Sequence, residues 1–163
     1  MRNKKVLLIA QAALIAALYF VLTYFISAFG LASGAIQVRI SEALTVLPVF
    51  TPAAIPGLFV GCLISNLVTG CMPLDVIFGS LATLLGALGT YALRRHRWLA
   101  PLPPIVANTI IVPFVLAYVY EAEGTIPFFM LTVGIGEVIS CYVLGGILLQ
   151  VLNRYRNVIF RQE

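Results

Sequence analysis

Long apolar runs, separated by glycine, proline and short charged loops, constrain this chain more than any single motif. The opening run, "KKVLLIAQAALIAALYFVLTYFISAFG", continues for more than twenty residues past its two lysines without another charge. A bilayer core takes about 20 helical residues to cross, and every backbone polar group inside it must be satisfied within the segment. The rest of the chain repeats this pattern. Of 163 residues, 61% are hydrophobic and only 10% charged, whereas soluble domains carry about a quarter. Too few polar residues remain to cover a water-facing surface. The composition predicts an all-α integral membrane protein.

Six candidate spans make one membrane domain over residues 1–163. They run over about 5–29, 40–50, 53–69, 74–93, 104–120 and 126–152. The second is marginal in length, either tilted or joined to the third through a kink at Pro52. Basic residues set the orientation. Arg2, Lys4 and Lys5 precede the first span, Arg94, Arg95 and Arg97 separate the fourth from the fifth, and Arg154, Arg156 and Arg161 follow the sixth. A six-helix bundle with cytoplasmic N- and C-termini puts all of these inside, as the positive-inside rule requires. Five spans would strand one cluster. The net charge of +4 therefore reflects membrane topology, and no nucleic acid partner is expected. The basic start and the small residues of "AFGLASGA" resemble a signal peptide, but the apolar run is longer than a signal core, so cleavage is not expected.

The acidic residues show the complementary pattern. Glu42, Asp75, Glu121 and Glu123 fall at outer ends or in the outer loop, with Arg39 the one basic residue beside them. An outward cavity lined this way would attract a small cation. Glu137, in "GIGEVISCY", is different. It lies about eleven residues into the sixth span, roughly 16 Å from its outer end. A charge at mid-helix costs about 2.5–3.5 kcal/mol on insertion scales, so such a residue normally faces a cavity or a partner. Asn66, in "LISNLVTG", has both donor and acceptor for the edge of a heterocycle, or for tying two helices together. In "VRISEALTVLP", Arg39 and Glu42 are three apart, the spacing of an ion pair on one helical face.

The remaining polar residues carry little chemistry. Cys62, Cys71 and Cys141 lack metal spacing and read as small apolar fillers. His96 belongs to the basic loop, Asn108 reads as structural, and Trp98 fits an interfacial anchor. Gly57 and Gly61, and Gly79, Thr83, Gly86 and Thr90, fall at helical spacing and suit close packing. So do the overlapping pairs Ala12/Ala16 and Ala13/Ala17, whose contact is either internal or with another protein. No hydrolase, metalloprotease or nucleotide-binding motif is present, so no enzyme, cofactor or metal centre is expected. Nor do two similar halves suggest alternating access. A small bundle with an outward polar site and no engine fits a capture subunit that borrows its energy. The rival is an autonomous carrier of small cations using Glu137 as its proton site.

"VRISEALTVLPVFTPAAIPGLFVGCLISN", "DVIFGSLATLLGALGT" and "VGIGEVISCYVLGG" closely resemble the QueT family, substrate-binding components of energy-coupling factor (ECF) transporters for queuosine precursors. The resemblance covers nearly the whole chain. It implies a bacterial plasma-membrane protein with six helices and an outer ligand site covered by the loop after the first helix. It also implies a transmembrane coupling subunit and two ATPase subunits as partners, with an alanine motif on the first helix touching the coupling subunit. Ala12, Ala13, Ala16 and Ala17 match that motif. The ligand implied is 7-aminomethyl-7-deazaguanine or a related deazapurine. Carboxylates at Glu42, Asp75 or Glu137 would take its ammonium and its paired N–H donors. Asn66 or Arg39 would reach its carbonyl, and Phe50, Phe114 or Tyr118 would stack on the ring.

Overall fold

The computed structural model describes residues 4–29, 38–155 and 159. Every regular element among them is helical, in segments that follow the apolar runs. Helix α1 covers Lys4–Ala28, α2 Ala54–Val68, α3 Pro73–Ala92 and α4 Leu102–Tyr118. The last stretch is continuous from Ile126 to Arg154. It consists of α5 (Ile126–Glu137), a π-helical segment (Val138–Leu144) and α6 (Gly145–Arg154). Among the described residues, three helices are long and apolar enough to cross a membrane, Lys4–Ala28, Pro73–Ala92 and Ile126–Arg154, and the others are shorter apolar helices.

The short second segment departs from expectation. Ile40–Val49 is a 3₁₀ helix, where runs beyond three or four residues are uncommon. The narrower coil stretches further, so ten residues reach about 20 Å instead of about 15 Å as an α-helix. Every residue from Ser41 to Pro48 is buried, and the element touches α1, α2, α3, α6 and the π segment. It is the centre of the bundle. It does not join α2 through a kink. Phe50 and Thr51 close it with N–H bonds to the Leu47 carbonyl at 2.9 and 3.2 Å, and the Thr51 hydroxyl donates to Gln11 Oε1 on α1 at 2.9 Å.

Close approach of the outer helices depends on residues without bulk. A Cβ on Gly57 would lie 2.8 Å from the Ala12 carbonyl oxygen, and one on Gly61 would lie 2.8 Å from Tyr19 Cβ and 3.0 Å from Ala16 Cα. The Ala12/Ala16 pair is therefore spent on internal packing against α2, whereas Ala13 and Ala17 on the neighbouring strip are exposed. Gly86 and Gly89 admit Pro104 and Pro103 in the same way, with a Cβ on Gly89 only 2.4 Å from Pro103. Thr90, on that face, donates to the Ala100 carbonyl at 2.8 Å.

Bulk at Gly61 should therefore push α1 off α2. Gly61→Leu is expected to destabilise the fold by about 1–3 kcal/mol, the usual cost of overpacking. Gly146→Ala, whose added Cβ meets nothing within 4 Å, should cost nothing and raise stability by up to about 1 kcal/mol, since alanine is the better helix former. Thermal melts of the purified protein in detergent compare the two.

Candidate functional site

Five helix ends surround one cavity of about 380 Å³. Its lining includes Thr23 and Ser27 from the end of α1, and Arg39, Ile40 and Ser41 from the start of the 3₁₀ helix. Asn66 and Thr69 come from the end of α2, Asp75 from the start of α3, and Val112, Leu116 and Tyr120 from the end of α4 and just beyond. C-terminal and N-terminal ends alternate around it, so successive elements run antiparallel. Lys4 and Lys5, at the start of α1, and Arg94, Arg95 and Arg97, after α3, belong to the opposite pole.

Asp75 is 6% exposed. Its Oδ2 accepts a 2.7 Å bond from the Tyr120 hydroxyl, whose oxygen in turn accepts from Met72 N–H at 3.2 Å. That pair of bonds ties the chain after α4 to the head of α3. Partial burial and the bond to Asp75 hold the Tyr120 phenol above the ordinary tyrosine range, so it stays a donor. Asn66 is 2% exposed, and a Cβ on Gly79 would sit 3.1 Å from its Nδ2. The missing side chain at Gly79 leaves room for that amide.

A second polar layer lies one helical turn beneath the lining. Tyr19 is four residues before Thr23, which donates to its carbonyl at 2.9 Å, while Asn108 is four before Val112 and Glu42 follows Ser41. The Tyr19 hydroxyl donates to Glu42 Oε1, and the other oxygen, Oε2, is enclosed without a partner. Cys141, in the π segment, gives its thiol hydrogen to Glu137 Oε2 at 3.2 Å. Glu42, Glu137 and Cys141 each present a ligand atom within 4.8 Å of the others, and Asn108 on α4 neighbours both carboxylates. Such a donor set has the chemistry to take a cation or a group rich in N–H.

Of the residues singled out from sequence, Arg39, Asn66 and Asp75 line the cavity, while Glu42 and Glu137 lie in the layer beneath. Phe114 and Tyr118 do not line it. They stack on each other, centroids 6.3 Å apart, on a face where they are 43% and 72% exposed. Phe50 closes the far end of the 3₁₀ helix. The expected Arg39–Glu42 ion pair is not formed among the described residues, because Arg39 is the extended residue before the helix and Glu42 is engaged by α1. Two cysteines are more than filler. Besides Cys141, Cys62 accepts from Thr83 at 3.4 Å and from Asn66 at 3.6 Å.

Tyr19, Ser41, Asn108, Tyr120 and Cys141 were missed by sequence reasoning. A signal existed for the first of these. Tyr19, Thr23 and Ser27 recur every four residues in an otherwise apolar helix, a polar stripe on one face. Ser41, Asn108 and Cys141 have no such mark, and Tyr120 lies in the irregular chain past α4.

The sequence profile of the QueT transporter family, described as "QueT transporter", matches residues 9–154. The chain is also 36% identical over 85 residues to a protein of Lactococcus lactis subsp. cremoris (strain MG1363) named "Queuosine precursor transporter QueT". That match covers 52% of this chain and 50% of the relative, so the chain spans about half the length of the curated relative it matches. No solved structure matches the chain significantly.

Because the Tyr19 hydroxyl and the Glu42 carboxylate share one buried bond, Tyr19→Phe is expected to cost about 1–3 kcal/mol, the usual penalty for stranding a buried acceptor. In a double-mutant cycle of stability, Tyr19→Phe with Glu42→Gln should be non-additive, and Arg39→Gln with Glu42→Gln additive to within about 0.5 kcal/mol. A strong coupling between Arg39 and Glu42 would restore the ion-pair reading.

Proposed function

Because the chain belongs to the QueT transporter family, we propose that it is the substrate-binding subunit of an ECF-type importer, capturing a queuosine precursor at the outer face. The observation that carries this reading is the cavity among Arg39, Asn66, Asp75 and Tyr120, at the pole opposite the basic ends of α1 and α3. Under the positive-inside rule that pole faces outward. Six spans, with both termini in the cytoplasm of a bacterial cell, complete the arrangement. A cationic aminomethyl deazapurine suits the lining. Asp75 offers its second oxygen to the ammonium, and Asn66 and Arg39 offer donors to a ring carbonyl. Glu137 and Glu42 supply acceptors where the base enters deepest.

The protein has no nucleotide-binding motif of its own, so transport would draw on two ATPase subunits through a membrane coupling subunit. Ala13 and Ala17 are the part of the alanine strips free for that contact, since Ala12 and Ala16 face α2. The rival, an autonomous carrier with Glu137 as its proton site, draws on the same buried carboxylate. Co-purification decides between them, because a binding subunit brings coupling and ATPase subunits and a carrier does not.

Glu137→Gln is expected to keep the fold and weaken calorimetric binding of 7-aminomethyl-7-deazaguanine at least tenfold, about 1.4 kcal/mol. Unchanged affinity would make Glu137 structural. Replacing Ala13 and Ala17 together by leucine should leave that binding intact and abolish energised uptake. Normal uptake by this double variant would refute the coupling surface.

A further inference from the structure

At the basic pole, away from the site described above, a second cavity of about 210 Å³ opens beside the last helix. One wall is the chain between α3 and α4, with Arg97, Trp98 and Pro101. The other is one stripe of the last helix, where Tyr142, Gly146, Leu149, Gln150 and Asn153 recur at three- and four-residue steps. Gly146 opens the trough, since an added Cβ there would meet nothing within 4 Å. The stripe changes character over roughly 15 Å of helix. It is carbon-rich at Tyr142 and Leu149, and ends on two amides, Gln150 and Asn153, just before Arg154 in the last turn. Beside it Val143, Ile147 and Val151 are exposed, so this side of the helix suits hydrocarbon.

The polar groups of this cavity are not spent on the protein. Among the described residues the side chains of Arg97, Gln150 and Asn153 make no hydrogen bond or ion pair, and no carboxylate lines the cavity. Arg94, by contrast, is engaged locally. Its guanidinium lies 4.1 Å from the centre of the Tyr91 ring and donates to the Tyr91 carbonyl at 3.0 Å. Trp98 is 74% exposed, as suits an indole at a membrane interface. An occupant that matches this lining is apolar toward the bilayer centre and anionic at the interface. Basic pockets between helices hold such headgroups, and the cytoplasmic leaflet carries the negative lipids. A zwitterionic headgroup fits less well, because Arg97 repels its ammonium.

We infer that this cavity binds one anionic phospholipid from the leaflet at the basic pole. Arg97 takes the phosphate, Gln150 and Asn153 donate to headgroup oxygens, and an acyl chain lies over Gly146 beside Trp98 and Tyr142. The site is independent of the capture role, because it lies at the opposite pole and shares no lining residue with the outer cavity. A lipid held there joins the loop after α3 to the end of the last helix.

Trp98 is the one tryptophan in the chain, so its fluorescence reads this cavity directly. The full-length protein is reconstituted in phosphatidylcholine bilayers with increasing fractions of phosphatidylglycerol or phosphatidylethanolamine, brominated on the acyl chains to quench a nearby indole. Brominated phosphatidylglycerol should quench with about fivefold higher apparent affinity than brominated phosphatidylethanolamine, the weight of one basic residue at a charged membrane surface. Arg97→Gln should remove that preference and Arg94→Gln should keep it. Gly146→Leu, which fills the trough without changing any charge, should also remove it. Excess soluble glycerol phosphate should not relieve the quenching, because the chain is part of the ligand. If Gly146→Leu does not fold, the comparison of Arg97→Gln with Arg94→Gln carries the same decision. Equal quenching by the two lipids in wild type, a preference that survives Arg97→Gln, or an equal loss in Arg94→Gln overturns the inference, the last by reducing it to diffuse surface charge. Relief by glycerol phosphate overturns the lipid assignment in favour of a free phosphate.

Discussion

The 3₁₀ helix Ile40–Val49, enclosed by the other helices, is the constraint on which the rest of the structure depends. With residues from Ser41 to Pro48 buried on every side, it cannot move without repacking its neighbours. Around its buried stretch the close-packed neighbours leave little room to absorb a change of volume. The tight coil also sets the polar geometry. With 3.0 residues per turn, Glu42 and Thr45 stand above one another, which lets the Thr45 hydroxyl reach both the Glu42 carbonyl and Cys141 Sγ. One short element thus positions the carboxylate, its backbone carbonyl and the contact to the last helix.

The last helix answers with an irregularity of its own. Immediately after Glu137 it widens into the π segment Val138–Leu144, a form that often marks functional positions. The wider turn includes Ser140 and Cys141, both buried, and brings the Cys141 thiol onto the Glu137 carboxylate one turn earlier. Gly145 then permits contact with the central helix, since a Cβ there would lie 3.0 Å from Val46 and 3.4 Å from the Ala43 carbonyl oxygen. Two distorted segments, one too tight and one too wide, face each other at the carboxylate pair. Regular helices would pack more easily, and the departure from regularity coincides with the most expensive groups in the core.

Around this centre the outer helices are held by contacts between small residues. Glycine on α2 meets alanine on α1, and glycine on α3 meets proline on α4. In lipid the apolar effect does little to join helices, so close van der Waals approach has to do it. The same economy explains why one alanine strip faces inward and the adjacent one outward. Residues one apart on a helix are separated by about 100°, so Ala12 and Ala13 cannot serve one surface.

Much of this protein follows from the order of its residues alone. The all-helical class, the places where the chain breaks and the opposite poles of basic and acidic charge come from the solvent preference of each stretch, a local property. Asn66 and Asp75, which line the cavity, stood out because a polar group among apolar neighbours is conspicuous, as did the exceptional position of Glu137. Tertiary structure decided everything that depended on which face a residue turns. It took Phe114 and Tyr118 away from the cavity, gave Glu42 to Tyr19 in place of Arg39, and brought Cys62 and Cys141, read as fillers, and Asn108, read as structural, into a polar layer. It also made the second segment a 3₁₀ helix, a coil that no pattern in "ISEALTVLPV" announces. The physical reason is that periodicity reports how apolar a position is and where it repeats. It does not report which other helix lies opposite, and hydrogen bonds between buried groups exist only once that neighbour is in place.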